Sequence, residues 1–120
     1  MESAHPVEPV IVVTGEALVD LVLDRDGGLV GHPGGGPYNV ARTIGRLGQP
    51  VTYLGRVSTD GFGVRLRREL DADGVRLDAL VATDAPTTLA LAELDAAGHA
   101  YYRFYAAGTS APGLTPEAAA

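Results

Sequence analysis

The stretch from Gly31 to Gly48, GHPGGGPYNVARTIGRLG, holds the residues best suited to binding chemistry. Gly34, Gly35 and Gly36 run through Pro37 into a helical pattern that carries Asn39 in its first turn. A glycine-rich turn at a helix N-terminus presents unpaired N–H groups at the positive end of the helix dipole. It can therefore receive a phosphate, a carboxylate or the hydroxyls of a sugar. Neither standard phosphate loop is spelled here: no G-x-G-x-x-G follows a strand, and G-x-x-x-x-G-K-[ST] is excluded because the chain has no lysine. Two readings of the glycines stay open, a ligand cradle or a plain turn into a helix. Asn39 likewise either meets a ligand or hydrogen-bonds the local backbone.

Other chemistries find little support. There is no cysteine, which excludes disulfides and thiolate zinc sites, and His5, His32 and His99 are isolated without ligand spacing. Nine basic against fifteen acidic residues give a formal charge of −6, the wrong sign for a nucleic-acid footprint. Arg65, Arg67 and Arg68 cluster, but Glu69, Asp71 and Asp73 follow at once, as on a solvated helix face. No apolar run has the length of a membrane span, and MESAHPVEP lacks the pattern of a secretory signal. Residues 1–9 read as a disordered lead-in, and a soluble, cytoplasmic protein is expected. At 120 residues, 46% hydrophobic and 20% charged, the chain is of globular composition and can bury a modest core.

The elements that must position the loop can be read in order. Pro9 to Thr14 (PVIVVT) suits a buried strand ended by Gly15. Leu18 to Leu23 is a second strand, and after the DRDGG turn Leu29 and Val30 begin its return as a hairpin. In the first helix Val40, Ile44 and Leu47 stand at i, i+4 and i+7 as the apolar stripe, with Ala41 beside them, Pro37 at the first helical position and Gly48 as the left-handed stop. Val51 to Val57 reads as one strand. Asp60 is an N-cap for a second helix whose stripe is Phe62, Leu66 and Leu70, closed by Gly74. Val75 to Val81 is a short extended stretch. Thr87 to Leu94 and His99 to Tyr105 then form a hairpin around Asp95–Gly98. Thr115-Pro116-Glu117 opens a helix that the sequence leaves short, so a fragment of a longer reading frame is expected. The sum is an α/β core with a β excursion.

GGGPYN followed by VARTIGRLG and then GRVSTDGFG resembles the N-terminal signature of the ribokinase-like (PfkB) family of sugar kinases. Gly34, Gly35, Asn39, Ala41, Gly48, Asp60 and Gly63 fall at the family's spacing, and GEALVD places Gly15 and Asp20 where the family has its first strand and an acid. The resemblance runs from about Val10 to Pro116 and is strongest to fructokinase-like members, with GGxPxN and VSxDxFG. Ser58 stands where many members have glycine, and Pro37 points away from ribokinase proper. The resemblance implies the N-terminal part of a ribokinase-like three-layer α/β fold over residues 10–120, with a small β lid from segments 18–32 and 87–105. It implies that Asp20 accepts hydrogen bonds from two sugar hydroxyls, against the alternative of a strand-edge acid facing water. Gly34 and Gly35 would let backbone approach the sugar, and Asn39 would offer its amide to a hydroxyl. Alternation puts Tyr101, Arg103 and Tyr105 on one face of the last strand and Tyr102 and Phe104 on the other. Tyr101 and Arg103 are candidate sugar contacts, with packing of the lid or of a homodimer interface as the alternative.

The family's G-A-G-D turn, with its catalytic aspartate and anion hole, does not occur in these residues. The resemblance therefore implies ATP and Mg2+ for the complete enzyme, with neither held by this chain alone and no catalytic residue within it. The expected function is the sugar-binding part of an ATP-dependent carbohydrate kinase. The alternative is a sugar- or nucleoside-binding module, or gene remnant, without kinase activity. Fructose, 2-keto-3-deoxygluconate and nucleosides all stay open as the ligand.

Overall fold

The β-branched run after Pro9 forms strand β1 (Ile11–Thr14) in the computed structural model, which describes residues 9–119. The expected lead-in falls almost wholly outside those residues. Next come β2 (Leu18–Leu23), β3 (Leu29–Gly34), helix α1 (Gly36–Arg46), β4 (Val51–Leu54), β5 (Arg56–Ser58) and α2 (Gly61–Ala72). The chain continues through β6 (Val81–Thr83), β7 (Leu89–Leu94), β8 (Ala100–Tyr105), a 3-10 turn (Ala111–Gly113) and α3 (Pro116–Ala119). The strands make a parallel β1–β4 pair, a parallel β5–β6 pair, and a four-stranded sheet in the order β3-β2-β7-β8. That larger sheet joins two antiparallel hairpins through a parallel β2–β7 contact.

The two longer helices lie against the parallel strands, α1 on β1 and β4, α2 on β5. Tyr38 of α1 and Tyr53 of β4 are fully buried and meet edge to face at 6.2 Å. Tyr38 donates its hydroxyl to the Leu66 carbonyl at 2.7 Å, and Tyr53 donates to the Gly15 carbonyl, so neither burial strands a polar group. Desolvation pushes both phenol pKa values well above the usual range. Ala41, Val51, Val57, Leu66, Leu70 and Val75 complete this core, and Ala17 and Val19 join it to the four-stranded sheet. Across the helices, Arg42 bonds Asp73 at 2.7 Å and approaches Glu69 at 3.4 Å, with its guanidinium 5.8 Å from the Tyr38 ring centre.

Four expectations need correcting. The α1 stripe is buried only in part: Ala41 is buried with Tyr38 and Ile44 packs half-buried against the core, while Val40 is 50% and Leu47 79% exposed. Pro37 is the second helical residue rather than the first, because Gly35 is the cap; its own missing N–H is still one of the unpaired donors. Val51 to Val57 is two strands, since at Gly55 the chain changes partner from β1 to β6, and the Gly55 carbonyl accepts from Val81 N–H. Finally, β1 is not a buried strand, with Ile11 42% and Val12 57% exposed. Among the described residues β1 has a strand neighbour on one side only.

Candidate functional site

The glycine run sits where the core gives way to the four-stranded sheet. Gly34 closes β3 opposite Leu18, and a Cβ on it would overlap the Asp20 carboxylate. Gly35 caps α1 with φ +101°, and a Cβ there would overlap the Glu16 carbonyl. Gly36 has open space around it and no such demand. Pro37 has its own partner in Gly15, whose φ of +144° and close approach to the proline ring both exclude a side chain. Four residues of the loop region are thus fixed by fit: Gly34 admits the carboxylate of Asp20, Gly35 the carbonyl of Glu16, and Gly15 the ring of Pro37.

Asp20 itself is exposed, in the middle of β2. The register sets His32 of β3 on one side of it and Ala90 of β7 on the other, with Phe104 of β8 beyond Ala90. One step along, Val22, Ala92 and Tyr102 line up in the same way. Cross-strand neighbours share a face. One face therefore carries the Asp20 carboxylate and the rings of Tyr102 and Phe104, separated by a floor of two alanines. Phe104 is 68% and Tyr102 67% exposed.

Tyr101 and Arg103 stand on the opposite face, aligned with Glu93 and Leu91. Arg103 donates its Nε–H to Glu93 at 2.8 Å. Strand alternation separates these residues from Tyr102 and Phe104 as expected, but the register gives the Asp20 side to the other set. Asn39 lies in the first turns of α1 and is exposed; its N–H bonds the Gly35 carbonyl and its carbonyl accepts from Thr43. Its amide has no hydrogen-bond partner among the described residues, and Asn39 lines a shallow hollow with Val40, Thr43 and Ile44.

The sheet is anchored by polar clamps. Asp60 caps α2 by accepting from Gly63 N–H at 2.8 Å, and also accepts from Thr87 N–H at 2.8 Å and the Thr87 hydroxyl at 2.6 Å. Burial raises the Asp60 pKa, but the hydrogen bonds from Thr87, Gly63 and Ser58 outweigh it, leaving the carboxyl below its usual value. Arg56 donates to the carbonyls of Ser110 and Thr109 at 2.8 and 3.0 Å, and Thr88 and Thr109 share a hydroxyl bond at 2.6 Å. Entry to β7 and exit from β8 are held together by these bonds. The motif spacing flagged Asp60 as a cap; its second role depends on Thr87, which no local signal marked.

The parallel strands with helices on one face, the glycine loop at the first helix and the outlying sheet bearing an acid define an α/β protein of the ribokinase-like kinase class. The pfkB family carbohydrate kinase model matches residues 9–117, and the chain belongs to that family. The fructokinase of Klebsiella pneumoniae is 37% identical over 112 residues, covering 89% of this chain and 35% of that protein. The crystal structure of fructokinase from Xylella fastidiosa superposes with a TM-score of 0.83 at 33% identity, over 92% of this chain and 38% of the other. A structure of fructokinase from the same organism with bound ATP gives 0.84 at 29% identity. The chain thus spans little more than a third of the relatives it matches.

Proposed function

We propose that this chain supplies the sugar-binding part of an ATP-dependent carbohydrate kinase that transfers the γ-phosphoryl group to a hydroxyl of a neutral sugar, fructose first among them. The observation that carries the proposal is the exposed Asp20 carboxylate, pressed against Gly34 and facing Phe104 and Tyr102 across Ala90 and Ala92. A carboxylate accepts from a vicinal pair of hydroxyls, and an aromatic face packs on the C–H side of a sugar ring. Gly34 keeps the Asp20 carboxylate in place where a Cβ would displace it, Gly35 does the same for the Glu16 carbonyl, and Asn39 is assigned to offer its amide from α1. Arg103 turns to Glu93 on the far face, so it is not on the Asp20 face to neutralise a sugar acid. This favours a neutral ligand over 2-keto-3-deoxygluconate.

ATP, with its Mg2+, would supply the phosphoryl group. The sequence has no lysine, and the described residues hold no group of three His, Asp or Glu that could bind a metal. We assign both to the remaining part of a complete kinase, together with the catalytic base. A homodimer through the open edge of β8 and a cytoplasmic location belong to the same proposal; no described helix is long and apolar enough to cross a membrane. The lack of a GAGD-like turn equally suits a sugar-binding module without kinase activity.

A thermal-shift panel tests the ligand class. Stabilisation by fructose but not by gluconate is expected. Stabilisation by gluconate alone, or by neither, removes the proposal.

A further inference from the structure

The four-stranded sheet carries an unused histidine directly across from Asp20. His32 is the β3 partner of Asp20 in the antiparallel register, so both side chains rise from the same face. Both are exposed. An acid and an imidazole set opposite each other would ordinarily pair, as His99 and Asp95 approach to 3.6 Å at the next hairpin. His32 and Asp20 make no such pair among the described residues. Instead the Asp20 carboxylate leans diagonally over Gly34, two residues along β3 from His32, into the space a Cβ would need. The strand beneath the imidazole is held on both sides. Arg65 of α2 donates to the Gly31 carbonyl at 2.9 Å, tying β3 to the helix just before His32. Pro33 follows it and confines His32 to extended backbone; β3 is the outer strand of the sheet order, where the missing proline N–H is tolerated.

We propose that His32 is a second sugar ligand and a specificity determinant of the Asp20 face: one sugar hydroxyl bridges the pair, donating to the carboxylate and accepting from an imidazole N–H. A hydroxyl can donate and accept at once, and an imidazole carries an N–H in either tautomer, so the bridge uses both without conflict. Side chains directly opposite on antiparallel strands start from Cβ atoms about 4.5–5.5 Å apart, close enough for one hydroxyl to reach both. The carboxylate by itself accepts from any hydroxyl that comes within reach. A donor fixed on the neighbouring strand adds a demand on where that hydroxyl stands, and a site built to bond a hydroxyl rejects the analogue lacking it. In the same row Ala90 and Phe104 have no polar side-chain atom, so this demand falls to His32. The inference rests on the proposed sugar-binding reading, since the bridging hydroxyl is one of those assigned to Asp20.

Calorimetric titration of the 120-residue chain with fructose and with each monodeoxy fructose tests it. His32→Phe keeps a ring and loses the donor; it should weaken fructose binding about tenfold, with circular dichroism unchanged at this exposed position. His32→Asn and His32→Gln place an amide N–H near the two ring nitrogens, and one of them should restore most of the loss. With the monodeoxy fructose that lacks the bridging hydroxyl, the parent chain and His32→Phe should bind alike. Undiminished affinity in His32→Phe, an equal penalty with every monodeoxy analogue, or failure of both amides to recover binding overturns the proposal. Asp20→Asn separates it from the reading on which it rests. Binding lost in Asp20→Asn but kept in His32→Phe removes the role of His32 and keeps the acid site; no fructose binding by the parent chain removes both.

Discussion

Replacing Asp60 by alanine should be among the most damaging single polar changes in this chain. Its carboxylate satisfies the Gly63 N–H of the α2 cap, worth about 1 kcal/mol. It also receives the N–H and hydroxyl of Thr87, a residue only 3% exposed. Stranding that buried amide costs roughly 1–3 kcal/mol. The sum is about 2–4 kcal/mol, against roughly 6–18 kcal/mol of total stability for a domain of this size. With a urea slope of about 1–3 kcal/mol/M, the unfolding midpoint should fall by on the order of 1–2 M. The effect has a pH signature. The folded pKa lies below the ordinary 3.8, so between the two values the unfolded chain binds more protons and stability rises with pH. The contribution is therefore fully present above about pH 5 and is lost as pH falls through the lowered folded value. Urea titrations at pH 7 and pH 3 should show a wide gap between parent and variant that narrows in acid. An unchanged midpoint at pH 7, or a gap equally wide in acid, would refute the clamp.

Further substitutions separate stability from binding. Gly63→Ala sets a Cβ into the Ser58 backbone, which cannot yield as a side chain can, and should cost about 1–3 kcal/mol in the same urea assay. Gly34→Ala meets side chains rather than backbone, the exposed Asp20 carboxylate and the end of Leu18; it should leave the melting temperature nearly unchanged and weaken fructose binding at least tenfold by calorimetry. Phe104→Ala should also weaken fructose binding, whereas Arg103→Ala on the opposite face should not, as competition titrations can measure. Arg42→Ala removes the partly buried pair with Asp73 and should cost about 1 kcal/mol in thermal unfolding, less at high salt.

How far the sequence could be read depended on whether the signal was local. The Asp60 cap, the left-handed stops at Gly48 and Gly74 and the two hairpins were legible because each is set by residues within a few positions. The pairing of β2 with β7 was not, because it joins Asp20 to Ala90 across the whole intervening core. Without that register, alternation sorted the β8 side chains into two faces but could not say which one meets Asp20. The α1 stripe misled for a related reason. Val40, Ile44 and Leu47 are spaced for burial beside Ala41, but among the described residues the core is reached by Tyr38, Ala41 and Ile44 and not by Val40 or Leu47.

The central claim is that the Asp20 face binds a neutral sugar. Isothermal titration of fructose into the chain and into its Asp20→Asn variant tests it most directly, since the substitution keeps size and removes the charge-assisted acceptor. Saturable one-to-one binding, weakened at least tenfold in the variant, is predicted. No binding to the parent chain, or equal binding to both, would contradict the account.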